Sequence, residues 1–544
     1  MACYAVTELK AFWLYHATGG NSGGTMKCLR LAAVFLSVLL VIDLVEGAET
    51  PRYGGRLVFG LSRDISALNP FFRTRSTNKY VRQIAYETLF DYDDKDRLVS
   101  LLGEFWTASP DSKVYTIKVR RGVKFHNGAD LTAEDVKWSA EYAMDPKNAA
   151  TGVNFLGRVQ AVSIKDKFTV EFVLKEPQAI FINLLASIEA SFPVVPKDSV
   201  PSGQREPSAP PPGTGPFEFK EYKAAREMIF ARNKNYWQKG LPYLDELVLK
   251  PVEDEQVRFA ALRAGDLNII ERTPYAFIKK IRNREIPEIR FVEAKDAGLR
   301  RLIFNVANPP FNNLKLRQAV LYALDKKSYV DAAYWGLGEP TNHGIPKDSR
   351  WYIKMPDVKR DVAKVKALLK EAKVGPDFEL ELLARRGEEP EIQPIQDQLT
   401  TAGIKTKVTI LESGAREART RAGDFMIVLS GFDVPNEPGD DYPTEYGCND
   451  EEVTNKRRGQ NQAGYCNKEF DRLMVEAAKI QDAKKRYELY AKALGILNDE
   501  IPDISLAFVP RYFTHQPKVM GFTSDSKGRL NMVSAGLSRV WLAP

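Results

Sequence analysis

The sequence predicts an α/β protein, and three observations carry that prediction. Stretches that alternate apolar and polar residues are interleaved with stretches of helical period along the whole chain. The 544 residues are 44% hydrophobic and 27% charged, the balance of a soluble, well-packed chain and not of a disordered, collagen-like or coiled-coil one. No internal repeat imposes a fixed period, and the length is enough for about three domains of ordinary size.

The chain is expected to open on an export signal, residues 1–48. Its apolar run, LAAVFLSVLLVI at 31–42, would make a helix of about 18 Å at ~1.5 Å per residue, short of a ~30 Å hydrocarbon core. Lys27 and Arg30 precede the run and the small residues Gly47 and Ala48 follow it, the order of a secretory signal peptide. A core helix is the alternative; a membrane anchor is disfavoured because Asp43 and Glu46 close the run. Met26, directly before Lys27, is an alternative translation start, which would make residues 1–25 an artefact of start-codon choice. No cysteine stands just after the run, so a lipid anchor is not expected.

Cleavage there would remove Cys3 and Cys28 and leave Cys448 and Cys466 in an oxidising compartment, where a disulfide between them is expected. In the chain-entropy model a loop of that size contributes roughly 3 kcal/mol. Two free thiols remain the alternative, and a metal site is disfavoured because no second cysteine pair or nearby His completes a ligand set. The signal segment carries equal numbers of positive and negative side chains, so the formal charge of +7 would persist. That excess is too thin to argue for nucleic acid, and no basic block concentrates it.

Further along, Tyr115, Ile117 and Val119 alternate onto one face of a predicted strand. Thr132 and Asp135 form a capping-box pattern that opens a helix through Val136, Ala140 and Ala143. Residues 201–216 (PSGQREPSAPPPGTGP) hold six prolines, which excludes a helix or a central strand and predicts a surface loop. Helical stripes follow at Leu316, Ala319, Val320, Ala323 and Leu324. Two more run behind Asp361 (Val362, Val365, Leu368, Leu369, Ala372) and behind Asn467 (Phe470, Leu473, Met474, Ala477, Ile480). These are core-packing signals.

Catalytic signatures are scarce. Of His16, His126, His343 and His515, none belongs to a His-Glu-x-x-His pattern and none is next to a cysteine; His126 sits in a turn-like FHNG, which predicts a structural role. There is no Gly-x-Ser-x-Gly, no phosphate-cradling loop and no dinucleotide fingerprint. No metal or cofactor is expected. Paired carboxylates leave no such trace, so a secreted carboxylate-dependent hydrolase stays as an alternative, recognisable by two convergent carboxylates in an open cleft.

An ordered set of motifs then resembles the family 5 extracellular solute-binding proteins, the peptide- and nickel-type receptors of ABC importers. It comprises LGEFWTASPD (102–111), YTIKVRRGVKFHNG (115–128), LTAEDV (131–136), GTGPF (213–217), RNKNYW (232–237), LPYLD (241–245), ALRAGD (261–266), FNV (304–306) with LRQAVLYALD (316–325), and AGYCN (463–467). The resemblance implies a type II periplasmic-binding-protein fold of two lobes and an extra domain. Lobe I would be discontinuous, from 53–82, 193–297 and 511–544; the extra domain would be inserted at 83–192; lobe II would run over 298–510, with chain crossings near 298 and 511. It also implies a monomeric, non-enzymatic periplasmic receptor that closes on a solute, most readily a peptide, and presents it to the permease subunits of an importer. Oligosaccharides, opines and other compounds are the alternative solutes.

In peptide-binding relatives an aspartate after a Gly–aromatic pair holds the ligand's ammonium group. The matching stretch, SGFDVPNEPGDDY (430–442), makes Asp433 the first candidate and Asp440 and Asp441 the alternatives, with Phe432 where a tryptophan is common. A cation buried by closure needs such a partner, or desolvation dominates. Arg385 and Arg386 stand where some dipeptide receptors hold the ligand carboxylate, a task suited to an arginine fork.

Overall fold

Three sheets organise the chain, and each draws on a different set of segments. The computed structural model describes residues 50–544 except 66–67, 73–76, 94–96, 149, 151, 187–191, 205–208, 297, 376, 433, 449–459 and 531–535. The expected signal segment lies outside these, and residues 52–544 hold together as one compact unit.

The first sheet has seven strands, in the spatial order Arg290–Ala294, Arg511–His515, Ile269–Glu271, Arg56–Leu61, Glu246–Pro251, Glu227–Arg232 and Phe217–Lys223. Arg56–Leu61 is parallel to both of its neighbours. The parallel crossover from Glu246–Pro251 to Ile269–Glu271 is made by the helix Glu255–Ala264. Asp254 caps it, accepting from the Gln256 and Val257 amides, and Gly265 ends it at φ 94°. The second sheet has six strands, in the order Glu339–Pro340, Asp503–Phe508, Leu299–Phe304, Ile427–Phe432, Leu380–Arg385 and Thr406–Leu411. Alternation in its strands feeds two cores. Leu302, Phe304, Leu382, Ala384, Ile427 and Leu429 pack on one face, and Ile303, Leu383 and Val428 join Phe470, Met474 and Tyr490 on the other. The third sheet is antiparallel and has four strands: Gly103–Ala108, Val114–Val119, Thr169–Leu174 and Val159–Asp166.

The two large sheets are joined by a ribbon of two antiparallel strands. Ala294 pairs with Arg511 in the seven-stranded sheet, Leu299 pairs with Phe508 in the six-stranded one, and the Val509 amide donates to the Gly298 carbonyl between them at 2.8 Å. Only residues 295–298 and 509–510 pass from one sheet to the other within this ribbon.

Local sequence signals are realised directly. Tyr115, Ile117 and Val119 are all buried. The Thr132 amide donates to Asp135 Oδ2 at 2.8 Å, closing the capping box of Ala133–Met144. Asp361 and Asn467 cap the helices that they precede. The Pro-rich stretch is exposed at 201–203 and 209, as a surface loop is, but Pro211 and residues 213–216 at its end are buried. There the Gly215 amide donates to Ala85 O at 3.1 Å and Tyr86 Oη donates to Pro211 O at 2.8 Å. His126 Nδ1 accepts from the Gly213 amide at 3.2 Å while Nε2 faces the Gly215 carbonyl at 3.0 Å, which fixes a neutral ring with its proton on Nε2. Burial lowers its pKa to about 4, against the pull of the Gly215 carbonyl, as suits a structural histidine.

A Cβ at position 213 would meet the Ala85 carbonyl oxygen at 1.8 Å, so backbone would have to move. Gly213→Ala is therefore expected to lose about 1–3 kcal/mol in urea denaturation. Gly414→Ala, whose Cβ would meet nothing within 4 Å, is expected to lose none. Equal midpoints for the two variants would refute the close-approach argument.

Candidate functional site

The strand Ile427–Phe432 ends beside the connecting ribbon, since Phe432 pairs with Leu299. The chain then turns through 434–437 into the helix Pro438–Tyr446, so residues 434–441 lie where parts of the two sheets' surroundings meet. Glu437 is the N-cap, with Pro438 following it, and the pair Glu437/Asp440 makes a reciprocal capping box in which the Glu437 amide donates to Asp440 Oδ2 at 3.1 Å.

Glu437 is locked from two directions. Arg486 Nε donates to Oε1 at 2.6 Å and Nη2 to Oε2 at 3.3 Å, and Tyr490 Oη donates to Oε1 at 2.9 Å; carboxylate and guanidinium are only 1% and 9% exposed. Arg486 is itself oriented by the Ile480 and Gln481 carbonyls and by the ring of Trp351. From the other side Asn183 Nδ2 donates to Glu437 Oε2 at 3.3 Å, and Lys527 Nζ reaches the Pro435 carbonyl and Asn436 Oδ1. Gly439 fits between Tyr490 and Ile180, either of which would lie under 3 Å from a Cβ there.

Asp440 differs from its neighbours. Its Oδ2 serves the capping box, while Oδ1 is buried and has no hydrogen-bond partner among the described residues. Burial first, and then the charges of Glu437 and Asp441, push its carboxyl well above the usual range. A cationic donor placed at Oδ1 would favour its ionised form. Asp441 is half-buried on the same helical turn, and Asp433 lies outside the described residues.

Phe432 is packed into the core. Its ring meets Tyr442 edge-on at 5.9 Å, and the Arg301 guanidinium stands 4.6 Å from it. Arg385 and Arg386 close the parallel strand Leu380–Arg385, at the same sheet edge as Phe432. Arg385 is engaged with Glu388 at 2.6 and 3.0 Å, and the exposed Arg386 pairs with Glu412 at 2.5 Å. Arg300 shares Glu388, so burial of that carboxylate is outweighed by two guanidinium groups that hold it below its ordinary value. Phe432 thus meets Tyr442 of the helix that carries Asp440 and Asp441, while Arg385 and Arg386 are each held in an ion pair, with Glu388 and Glu412. Sequence reasoning overlooked Glu437, Arg486, Arg301 and Lys527. Only the Glu-Pro pair at a helix start hinted at the first.

Cys448 and Cys466 form a disulfide with Cα atoms 4.4 Å apart, beside the end of this helix. Among the described residues no helix is long and apolar enough to cross a membrane, and no three His, Cys, Asp or Glu side chains gather as a metal site would require.

Two variants test this arrangement. Glu437→Gln strands the buried Arg486 and is expected to cost about 3–5 kcal/mol by denaturation. A folded-state carboxyl pKa above the unfolded one makes the native state bind more protons, so stability falls as pH rises from about 4 through the raised value. Asp440→Asn removes that penalty and keeps an acceptor for the cap. It is expected to match the parent at pH 4 and exceed it at pH 8, and a parent more stable than the variant at pH 8 would refute the raised pKa.

Residues 97–452 match the family model of bacterial extracellular solute-binding proteins, family 5 middle. The glutathione-binding protein GsiB of Salmonella choleraesuis is 27% identical over 488 residues, covering 86% of this chain and 91% of that protein. Among solved structures, the oligopeptide-binding protein AppA of Bacillus subtilis in complex with a nonapeptide superposes with a TM-score of 0.76 at 25% identity, covering 91% of this chain and all of that one. The periplasmic binding protein AgaA from A. tumefaciens R10, in complex with agropinic acid, does so at 0.76 and 26% identity over 90% and 99% of the two chains. The sheet architecture, the ordered motifs and the match over most of the chain lead to one conclusion: this protein belongs to family 5 of the bacterial extracellular solute-binding proteins.

Proposed function

We propose that the chain is a periplasmic receptor that captures a peptide between two lobes and delivers it to the permease subunits of an ABC importer, acting as a monomer after removal of residues 1–48. The lobes are assigned as 53–82, 193–297 and 511–544 for the first, 298–510 for the second, and 83–192 for the inserted domain. Support comes from the sheets: the seven-stranded one takes its strands from the first set, the six-stranded one from 298–510, and the four-stranded one from 83–192. The observation that carries the reading is the two-strand ribbon, a short double connection about which two sheet-bearing bodies can close.

The ligand's ammonium group is assigned to the carboxylates of 433–441, with Asp440 first because of its unpartnered buried oxygen and Asp433 and Asp441 as its neighbours. Phe432 supports the floor of this region, and Arg385 and Arg386 are assigned to the ligand carboxylate only if Glu388 and Glu412 release them. A peptide solute fits the similarity to a glutathione-binding protein and to a receptor solved with a nonapeptide. An opine is the second reading, favoured by the comparable similarity to a receptor solved with agropinic acid. Membership in a solute-binding family displaces the hydrolase alternative.

Thermal-shift screening of glutathione, di- to pentapeptides, opines and oligosaccharides tests the reading. A ligand at a hundred times its Kd is expected to stabilise the fold by about 2.7 kcal/mol. Stabilisation by an opine or a sugar alone would overturn the peptide assignment. For the peptide that binds, Asp440→Asn is expected to weaken affinity tenfold or more, about 1.4 kcal/mol, as should N-acetylation of the ligand. An unchanged Kd in Asp440→Asn with a loss in Asp433→Asn would move the ammonium site to Asp433.

A further inference from the structure

At the far end of the helix Pro438–Tyr446 from Asp440 lies a partly open cavity of about 70 Å³, lined by the strand Asp503–Phe508, the helix Ala483–Glu500 and the segment 341–358. One water needs about 10–15 Å³ of such space, so there is room for several waters or one small organic molecule. Its walls are chemically divided.

On one side stand two nitrogen donors. Lys326, the first residue of the helix Lys326–Tyr334, is 9% exposed, and its Nζ donates to the Thr341 carbonyl at 2.8 Å and to Asn342 Oδ1 at 2.6 Å. An ammonium group has three protons, so a third remains for the cavity. The His343 ring accepts the Ile345 amide through Nδ1 at 3.3 Å, which puts its proton on Nε2; that atom is buried and has no hydrogen-bond partner among the described residues. The cavity's one carboxylate, Asp503, is already occupied by Tyr446 Oη at 2.5 Å and Arg301 Nη1 at 3.2 Å. Leu494 and Leu497 also line the cavity and supply apolar surface.

We propose that this cavity is a second binding site, for a short-chain carboxylate, whose oxygens are held by Lys326 Nζ and His343 Nε2 while its alkyl end lies against Leu494 and Leu497. The acceptor would satisfy a donor that is otherwise buried without a partner, and it would compensate a buried ammonium. The third proton, and the positive charge, are present on Lys326 at and below its pKa. Burial lowers the Lys326 pKa to about 7, with Asp357 and Asp503 opposing it only in part. The His343 ring is brought to about 4 by burial and then by Lys326 and Lys347. The proposal does not depend on the identity of the transported solute, because the site is built within the segment 321–505.

Sodium propionate, exchanged for sodium chloride at constant ionic strength, tests it on the full chain. The ring resonances of His343, assigned with His343→Gln, are expected to shift saturably, and Lys326→Gln should raise the apparent Kd at least tenfold. A parent-like near-UV circular dichroism spectrum establishes that the variant is folded. If it is not, propionate calorimetry on His343→Gln must show the same tenfold loss. A linear, non-saturating shift overturns the proposal, as does a folded Lys326→Gln that titrates like the parent. Chloride binding as tightly as propionate, seen as no response to the exchange, overturns it too.

Discussion

Two neighbouring strands run out of one large sheet and straight into the other, and most of what the molecule can do follows from that pairing. Arg290–Ala294 and Arg511–His515 are partners in the first sheet, and Leu299–Phe304 and Asp503–Phe508 in the second. A single connection would leave the two halves free to swivel. A broad interface would weld them. A paired ribbon with a few residues between sheets resists twist through its hydrogen bonds and leaves bending as the soft motion. In the proposed receptor, that bending is the closing movement.

What closure meets is arranged by a buried ion pair. Arg486 holds Glu437 from within the segment 298–510, and Asn183 and Lys527 reach the same turn from segments on either side of it in the sequence. Burying a guanidinium–carboxylate pair is worth little as stabilisation by itself, because desolvation offsets the attraction. Its value here is positional: it fixes the start of the helix Pro438–Tyr446 and so the direction of Asp440. The hydrogen bonds of Asp440 then leave one buried oxygen, Oδ1, without a partner among the described residues.

Much of the fold was legible in local sequence. The Thr132/Asp135 capping box, the caps at Asp361 and Asn467 and the buried face of Tyr115, Ile117 and Val119 are short-range features, and each depends on residues within a few positions of one another. The α/β class followed from these, and the family resemblance followed from motif order. The site was less legible because its partners are distant. Glu437 and Arg486 are 49 residues apart, and nothing in either neighbourhood marks them as a pair. Arg301 shares a strand face with the apolar Leu299 and Ile303, and nothing near it in sequence marks the Glu445, Asp503 and two aromatic rings that bury it. The end of the Pro-rich stretch was hidden for a related reason: composition reports that the backbone cannot enter a helix or ladder, but not that Gly213 and Gly215 let it press against Ala85.

In the proposed receptor the two sheets close about the ribbon on a captured solute. Val257 and Val475 are exposed on helices packed with the seven-stranded and six-stranded sheets' segments respectively, and each tolerates a label without loss of core. Spin labels at Val257→Cys and Val475→Cys, with the Cys448–Cys466 disulfide intact, report the separation of the two halves by electron–electron resonance. Closure predicts a broad distance distribution without ligand that narrows and moves by several ångströms when the stabilising peptide is added. A distribution that the bound peptide leaves unchanged would contradict it.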